Sequence, residues 1–287
     1  MRKLRSAATT ALAMAGLVLA APAYADSASE PARSIAGGQD AVQAPNNTLG
    51  HTGGLFANSS FEVASGADYS VGHYGASADT SVWSIPLDLK AQIGRVRLQA
   101  SLPYEFISGP GQIVGGVIVS APGSAVTSRS GIGDLNLSAA ALLTREIGLL
   151  PAIEVGGSVK LPTAKTTIGT GETDYSVNAS VYKSVTPAVM LFGSVGYSWL
   201  GSPAAYRLKN GLTASGGFNL RPASNQNYGV SVAYREPVAE GLQGQAVVSP
   251  YMTYRFSNRF GLTLYGLAGL NDASPRIGAG LRLTLFH

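Results

Sequence analysis

The chain has 287 residues, with 36 Gly, 15 Pro, no Cys and 13% charged side chains. The lack of Cys excludes disulfides, thiolate metal ligands, a Cys nucleophile and lipid attachment at a lipobox Cys. The formal charge of +4 is concentrated at the start: Arg2, Lys3 and Arg5 face no acid in residues 1–25, and the remainder holds 17 basic against 16 acidic side chains. That remainder has no basic cluster able to neutralise a run of phosphates, so nucleic acid is set aside as a partner.

Residues 1–25 have the form of a secretory signal peptide. A basic start (Met1–Arg5) precedes the apolar stretch Ala7–Ala21, and Ala23-Tyr24-Ala25 supplies a small-x-small cleavage pattern. Beyond it no stretch of about 20 apolar residues occurs, so no membrane-spanning helix is expected. Residues 26–59 are rich in Ala, Gly, Ser and Asn without a sustained period, and read as a flexible N-terminal segment, a candidate plug.

From Phe61 the sequence turns into runs of about ten residues with apolar side chains at alternate positions, the period of a strand with two unlike faces. Trp83, Ile85, Leu87, Leu89, Ala91 and Ile93 share one parity, and Ser84, Asp88, Lys90 and Gln92 the other. After a Gly94 turn, Val96, Leu98, Ala100, Leu102, Tyr104 and Phe106 oppose Arg95, Arg97, Gln99, Ser101 and Glu105. Twelve such runs are expected, at 61–72, 81–93, 95–106, 131–143, 150–161, 174–183, 188–200, 208–221, 226–236, 244–256, 259–270 and 275–287. Short connections alternate with longer ones, as periplasmic turns alternate with external loops in a membrane barrel; 144–149 and 271–274 fit this less well. Pro86, Pro103 and Pro250 each remove a ladder donor and predict local bulges or bends.

Period 2 alone does not separate a soluble barrel from one whose apolar face meets lipid. Three features favour lipid outside. Nearly every charge within the runs falls on the polar parity; Lys183, at a run end where it can snorkel, is an exception. Apolar-parity aromatics gather at run ends: Trp83, Tyr104, Phe106, Tyr175, Tyr197, Trp199 and Tyr234 toward one interface, and Phe218, Tyr228, Tyr254, Phe256 and Phe260 toward the other. The polar face is also too rich in Gly, Ser and Ala for an ordinary solvent face. Residues 60–287 are therefore expected to form an all-β, antiparallel, up-and-down transmembrane β-barrel of about 12 strands.

The stretches GIGDLNLSAAALL (131–143), IEVGGSVKLPTAKTTIGTGETDYSVNASVYKSV (153–185) and LFGSVGYSWLG (191–201) come in a recognisable order, and LQASLPY (98–104) belongs with them. Together they resemble the outer-membrane "transporter" family named for the MetA pathway of phenol degradation. The resemblance implies an outer-membrane barrel that passes small solutes, aromatic or hydrophobic ones among them, passively. The alternative is a non-conducting barrel with a structural or surface-interaction role. Expected partners are outer-membrane lipid, the barrel assembly machinery and a small-molecule solute of unknown identity. Such barrels usually end in an aromatic residue on the lipid-facing parity; here His287 holds that parity and Phe286 the other.

The candidate site is the lumen. Asp88, Lys90, Arg95, Arg97, Glu105, Asp134, Glu154 and Lys160 form an inward, mixed-sign set, read either as a constriction selecting solutes by charge or as an ion-pair network filling a closed interior. Tyr182, Met190, Phe192, Tyr251 and Tyr265 are expected inside as an aromatic path or as packing. Asp134 and Asp174 fall at the external rim, placed to brace loops by accepting backbone amides, a reading favoured over substrate contact. The apolar tract Ile113–Val126, in the longest loop, has three readings: a strand extension, a loop folded into the lumen, or a capture surface. No cofactor or metal is expected. GTGETD (169–174) lacks the Lys-Ser/Thr ending of a phosphate loop. An enzyme is disfavoured, because the one sketch of a hydrolytic site is His73 with Ser70 and Asp79.

Overall fold

A computed structural model describes residues 59–120, 125–204 and 207–287. The expectations for a signal peptide and an N-terminal segment lie outside the described residues. Fifteen strands occur: β1 (Ser59–Gly72), β2 (Thr80–Ile93), β3 (Val96–Gly109), β4 (Gln112–Val114), β5 (Val117–Val119), β6 (Thr127–Ile132), β7 (Leu135–Thr144), β8 (Ala152–Leu161), β9 (Asp174–Ser184), β10 (Val189–Trp199), β11 (Gly211–Ala223), β12 (Gln226–Arg235), β13 (Gln245–Arg255), β14 (Phe260–Gly269) and β15 (Ile277–Phe286). Among the described residues no helix is long and apolar enough to cross a membrane.

β6 and β7 are two pieces of one barrel stave, since both pair with β3. Neighbouring strands are otherwise consecutive and antiparallel, and β1 pairs with both β2 and β15, from Glu62↔Phe286 to Val71↔Ile277. The result is a closed barrel of 12 staves. Closure leaves no edge, so the backbone groups of every stave are paired on both sides, which is what a lipid surrounding demands.

The apolar parity faces outward. Trp83, Leu87, Leu89, Leu98 and Phe106 are all more than 40% exposed, whereas Lys90, Arg97 and Glu105 are buried in the interior. The aromatic bands pair across and along strands: Tyr69 with Trp83 at 4.8 Å, Tyr104 with Phe106 and Tyr197 with Trp199 at 5.0 Å, and Phe256 stacked on Phe260 at 6.1 Å between ring centroids. An amphipathic ring suits the headgroup layer, so these bands mark the two interfaces.

The connection after β14 spans 270–276, longer than the 271–274 expected, and the alternation of short and long connections holds there. The 145–151 turn does stay long. It is tied to β9 by Lys183, whose Nζ lies 2.8 Å from Glu146 Oε1, so this outward Lys is ion-paired at the turn end of the barrel. The Glu146 carboxyl is held below its usual range, first by the hydrogen bond from Lys183.

The prolines act in two ways. At Pro103 the register slips by one residue, between Ser101↔Asn136 and Tyr104↔Ile132, so a bulge is present there. At Pro86 and Pro250 the expected bulges do not occur. The ladders on either side of each keep one register, because a missing donor is tolerated where the flanking pairs already fix the alignment. The other register shifts lie at Leu220/Ala223 and Leu142/Thr144.

Candidate functional site

The lumen is built from the polar parity, and register decides which charges meet. Glu62 lies opposite Lys90 across β1–β2, and the Lys90 ammonium sits 2.5 Å from its carboxylate. Arg97 lies opposite Ala140, which lies opposite Gly156. Those two small residues let Arg97 reach over β7 to Glu154 on β8, at 2.6 Å. The Tyr182 hydroxyl donates to the same carboxylate at 3.4 Å.

On the β15 side, Arg282 grips Asp68 with both terminal nitrogens, at 2.5 and 2.6 Å, and its Nε lies 3.3 Å from Asp88. Asp88 also accepts from the Ser101 hydroxyl at 2.6 Å, and Tyr265 donates to Asp68. This cluster needs Gly280: a Cβ there would stand 2.3 Å from Asp68 Oδ1 and 2.4 Å from the Tyr265 ring. Glu62, Asp68 and Arg282 were absent from the expected site. Parity assigned Arg282 inward and gave no hint of its partner, while Asp68 is diagonal to it on a strand far away in sequence.

The Pro103 bulge has a chemical consequence. Ile132 is exposed on the outer face, yet Asp134, two residues on, is buried in the lumen, so the extra residue switches the facing and turns Asp134 inward. Asp134 and Asp174 then share one cation: Lys160 Nζ lies 3.2 Å from the first and 2.9 Å from the second. Each carboxylate also accepts a loop amide, Asp134 from Ala164 N at 3.0 Å and Asp174 from Gly201 N at 2.9 Å. The two Asp thus hold the third and fourth long loops to the barrel rim.

Two charges depart from the expected network. Arg95 lies in the two-residue turn before β3 and is exposed, so it is not a lumen residue; the strand begins one residue later than its sequence period suggested. Glu105 is buried and accepts from the Ser84 hydroxyl at 3.2 Å rather than from a cation.

The aromatic set separates into two groups. Tyr182 and Phe192 pack with Ala152, and Met190 lies half-buried beside them. Tyr251 and Tyr265 form the other group. Tyr182, Phe192, Tyr251 and Tyr265 are all at most 7% exposed.

Over residues 113–119 the apolar tract of the longest loop takes the second of its three readings, whereas Val126 is exposed. β4 and β5 form a hairpin whose Val114, Val117 and Ile118 are buried, with Gly115 and Gly116 at the turn in left-handed conformations (φ 55° and 83°). Val114 and Val117 pack with Leu200 and Val238, and Ile118 packs with Tyr74, Val82, Ile107 and Ile168. The outer mouth is therefore capped by apolar side chains from several loops. Inside this cap, burial pushes the Tyr74 phenol up to about 12 despite its bond with Ser70. Arg235 and Gln245, on inner strand ends, hold the hairpin by donating to the carbonyls of Gly115 (2.5 Å) and Ile118 (2.9 Å).

Beneath the hairpin tip lies a solvent-open cleft against the wall of β7–β12. Its lining includes Asn136, Ser158, Ser176, Ser194, Thr213, Lys160 and Arg235. One half of the lumen is thus crossed by ion pairs, and the other is open and lined mainly by small hydroxyl and amide groups, with Lys160, Asp174 and Arg235 among them. The hydrolytic sketch is not assembled: His73 Nδ1 lies 3.3 Å from Asp79, but the buried Ser70 hydroxyl bonds Tyr74 instead.

A closed antiparallel barrel with an apolar outer belt, aromatic bands and a charged interior defines the class: an outer-membrane β-barrel. Residues 47–285 match the model of the family described as "Putative MetA-pathway of phenol degradation", and the chain belongs to that family. In fold it is similar to an outer-membrane channel from Pseudomonas putida F1, at 14% identity and a TM-score of 0.60, covering 80% of this chain and 95% of that one. It is also similar to the translocator domain of the autotransporter NalP from Neisseria meningitidis, at 10% identity and a TM-score of 0.50, covering 82% of this chain and 90% of that one. No curated protein matches the sequence.

Proposed function

We propose that the chain is an outer-membrane channel for passive passage of small solutes, aromatic or hydrophobic ones among them. The observation that carries this reading is the division of the lumen. Ion pairs crowd the side of β1–β3 and β15, while a solvent-open cleft remains along β7–β12 below an apolar cap. A wall of hydroxyls and amides holds water, and the greasy cap offers an entering apolar solute a surface outside that water. The family's phenol-degradation description and the likeness in fold to an outer-membrane channel of Pseudomonas putida favour the same role.

The chain works without chemistry of its own in this reading. Export through a cleaved signal peptide and insertion by the barrel assembly machinery would bring the strands to lipid. The ion pairs favour a second reading, a non-conducting barrel in which charges fill the interior. Planar-bilayer conductance and liposome swelling with the purified full chain decide between them. Discrete conductance steps and swelling in small neutral solutes are expected; their joint absence in properly folded protein refutes the channel.

A further inference from the structure

Arg235 is 7% exposed at the outer end of β12, and it lines the cavity. The other buried cations of the lumen each have a carboxylate: Lys90 has Glu62, Arg97 has Glu154, Lys160 has Asp134 and Asp174, and Arg282 has Asp68 and Asp88. Arg235 is the exception. Among the described residues its acceptor is one neutral group, the carbonyl of Gly115 at 2.5 Å, and no carboxylate lies within ion-pairing distance. The carboxylate sharing its cavity, Asp174, is already engaged by Lys160 and by Gly201 N.

A buried guanidinium without counter-charge is strongly disfavoured, and a lone carbonyl offsets little of that. In a lumen open to solvent a diffusible anion can supply the missing charge. The guanidinium offers five donors in a planar fork, of which Gly115 takes one, and that fork matches the two oxygens of a carboxylate. The surroundings select the rest of the ligand. Leu200 lines the cavity and packs with Val114, Val117 and Val238, while hydroxyls of Ser158, Ser176 and Thr213 line the wall.

We infer that Arg235 is the anchor of a binding site for small organic carboxylates with an apolar body, seated beneath the hairpin tip. As a substrate class this rests on the channel reading, but as a site it stands on its own geometry. The anion neutralises Arg235, its oxygens take the free donors of the fork, and its apolar part lies toward Leu200.

The test is calorimetric titration of benzoate, at neutral pH, into the full chain folded in detergent. Benzamide, of the same shape without charge, is the control. Benzoate should bind saturably and benzamide should not. R235Q should weaken benzoate by about tenfold or more, and R235K should retain part of the affinity because it keeps the charge and loses the fork. Heat-modifiable migration on gels reports whether each variant is folded. Equal binding of benzoate and benzamide by the wild-type chain, or binding of neither, overturns the site whether or not R235Q folds. So does a folded R235Q that binds benzoate like the wild type. Bilayer conductance separates the two readings: benzoate binding without conductance refutes the channel and leaves the site, and conductance without benzoate binding does the reverse.

Discussion

Glu154→Leu removes the carboxylate that Arg97 reaches across β7. The two groups are 2.6 Å apart, and their side chains are 4% and 9% exposed, so the stranded guanidinium has little water to turn to. Breaking a buried pair from one side costs about 3–5 kcal/mol, whereas replacing both partners with apolar groups of similar size is often neutral. The loss of the 3.4 Å Tyr182 contact adds little, since that bond is long. Glu154→Leu is therefore expected to cost about 3 kcal/mol, and the double variant R97M/E154L to recover most of it. The assay is urea unfolding of the protein in phospholipid vesicles, followed by fluorescence of Trp83 and Trp199 on the lipid face. If Glu154→Leu stayed within about 1 kcal/mol of wild type, as exposed pairs do, the pair would be as hydrated as one on a surface. The account of a packed, charged half-lumen would then fail.

Leu98 is outward and Gln99 is inward, so Leu98→Arg should reduce assembly into membranes, at about 2–4 kcal/mol if the site is near mid-bilayer, while Gln99→Arg should assemble normally. Equal yields of heat-modifiable barrel from the two would contradict the assigned facing. Gly280→Ala should destabilise by about 1–3 kcal/mol through overpacking against Asp68 and Tyr265, measured by the same urea titration; an unchanged midpoint would show that those side chains can give way. The pH dependence has two signs. Tyr74 has its folded pKa raised from 10.0 to about 12, so its contribution to the outer cap is present below pH 10 and lost as pH rises toward 12. Protease nicking of the external loops should increase over that window, and Tyr74→Phe should remove the increase. Glu146 has its folded pKa lowered from 4.5, so it supports the 145–151 turn above that pH and ceases to as pH falls; the exchange protection of the Ser184 amide, relative to its intrinsic rate, should fall in acid, and less so in Glu146→Gln.

Much of the lumen was legible in parity alone. Lys90, Arg97, Glu105, Glu154 and Lys160 are inward, as are the five inner aromatic and Met positions, because successive side chains of a strand must point to opposite faces. Arg95 was misplaced for a reason parity cannot sense: at a strand end the period runs on in the sequence after the backbone has turned away. Asp68 and Arg235 were passed over because nothing in their local sequence distinguishes them. What sets them apart is what stands beside them, a cation in one case and, in the other, a carbonyl with no carboxylate.

The sequence by itself determined that the chain is a barrel, how many staves it has, which side of each meets lipid and where the aromatic bands fall. These follow from a two-residue period and from the cost of placing charge in hydrocarbon, and both are local properties of a strand. Tertiary structure alone decided that β1 closes on β15, that Arg282 therefore meets Asp68, that the bulge opposite Pro103 turns Asp134 inward, and that the apolar hairpin folds into the mouth. Each of these depends on register between segments distant in the chain, and register is a property of pairs of strands that no single strand carries.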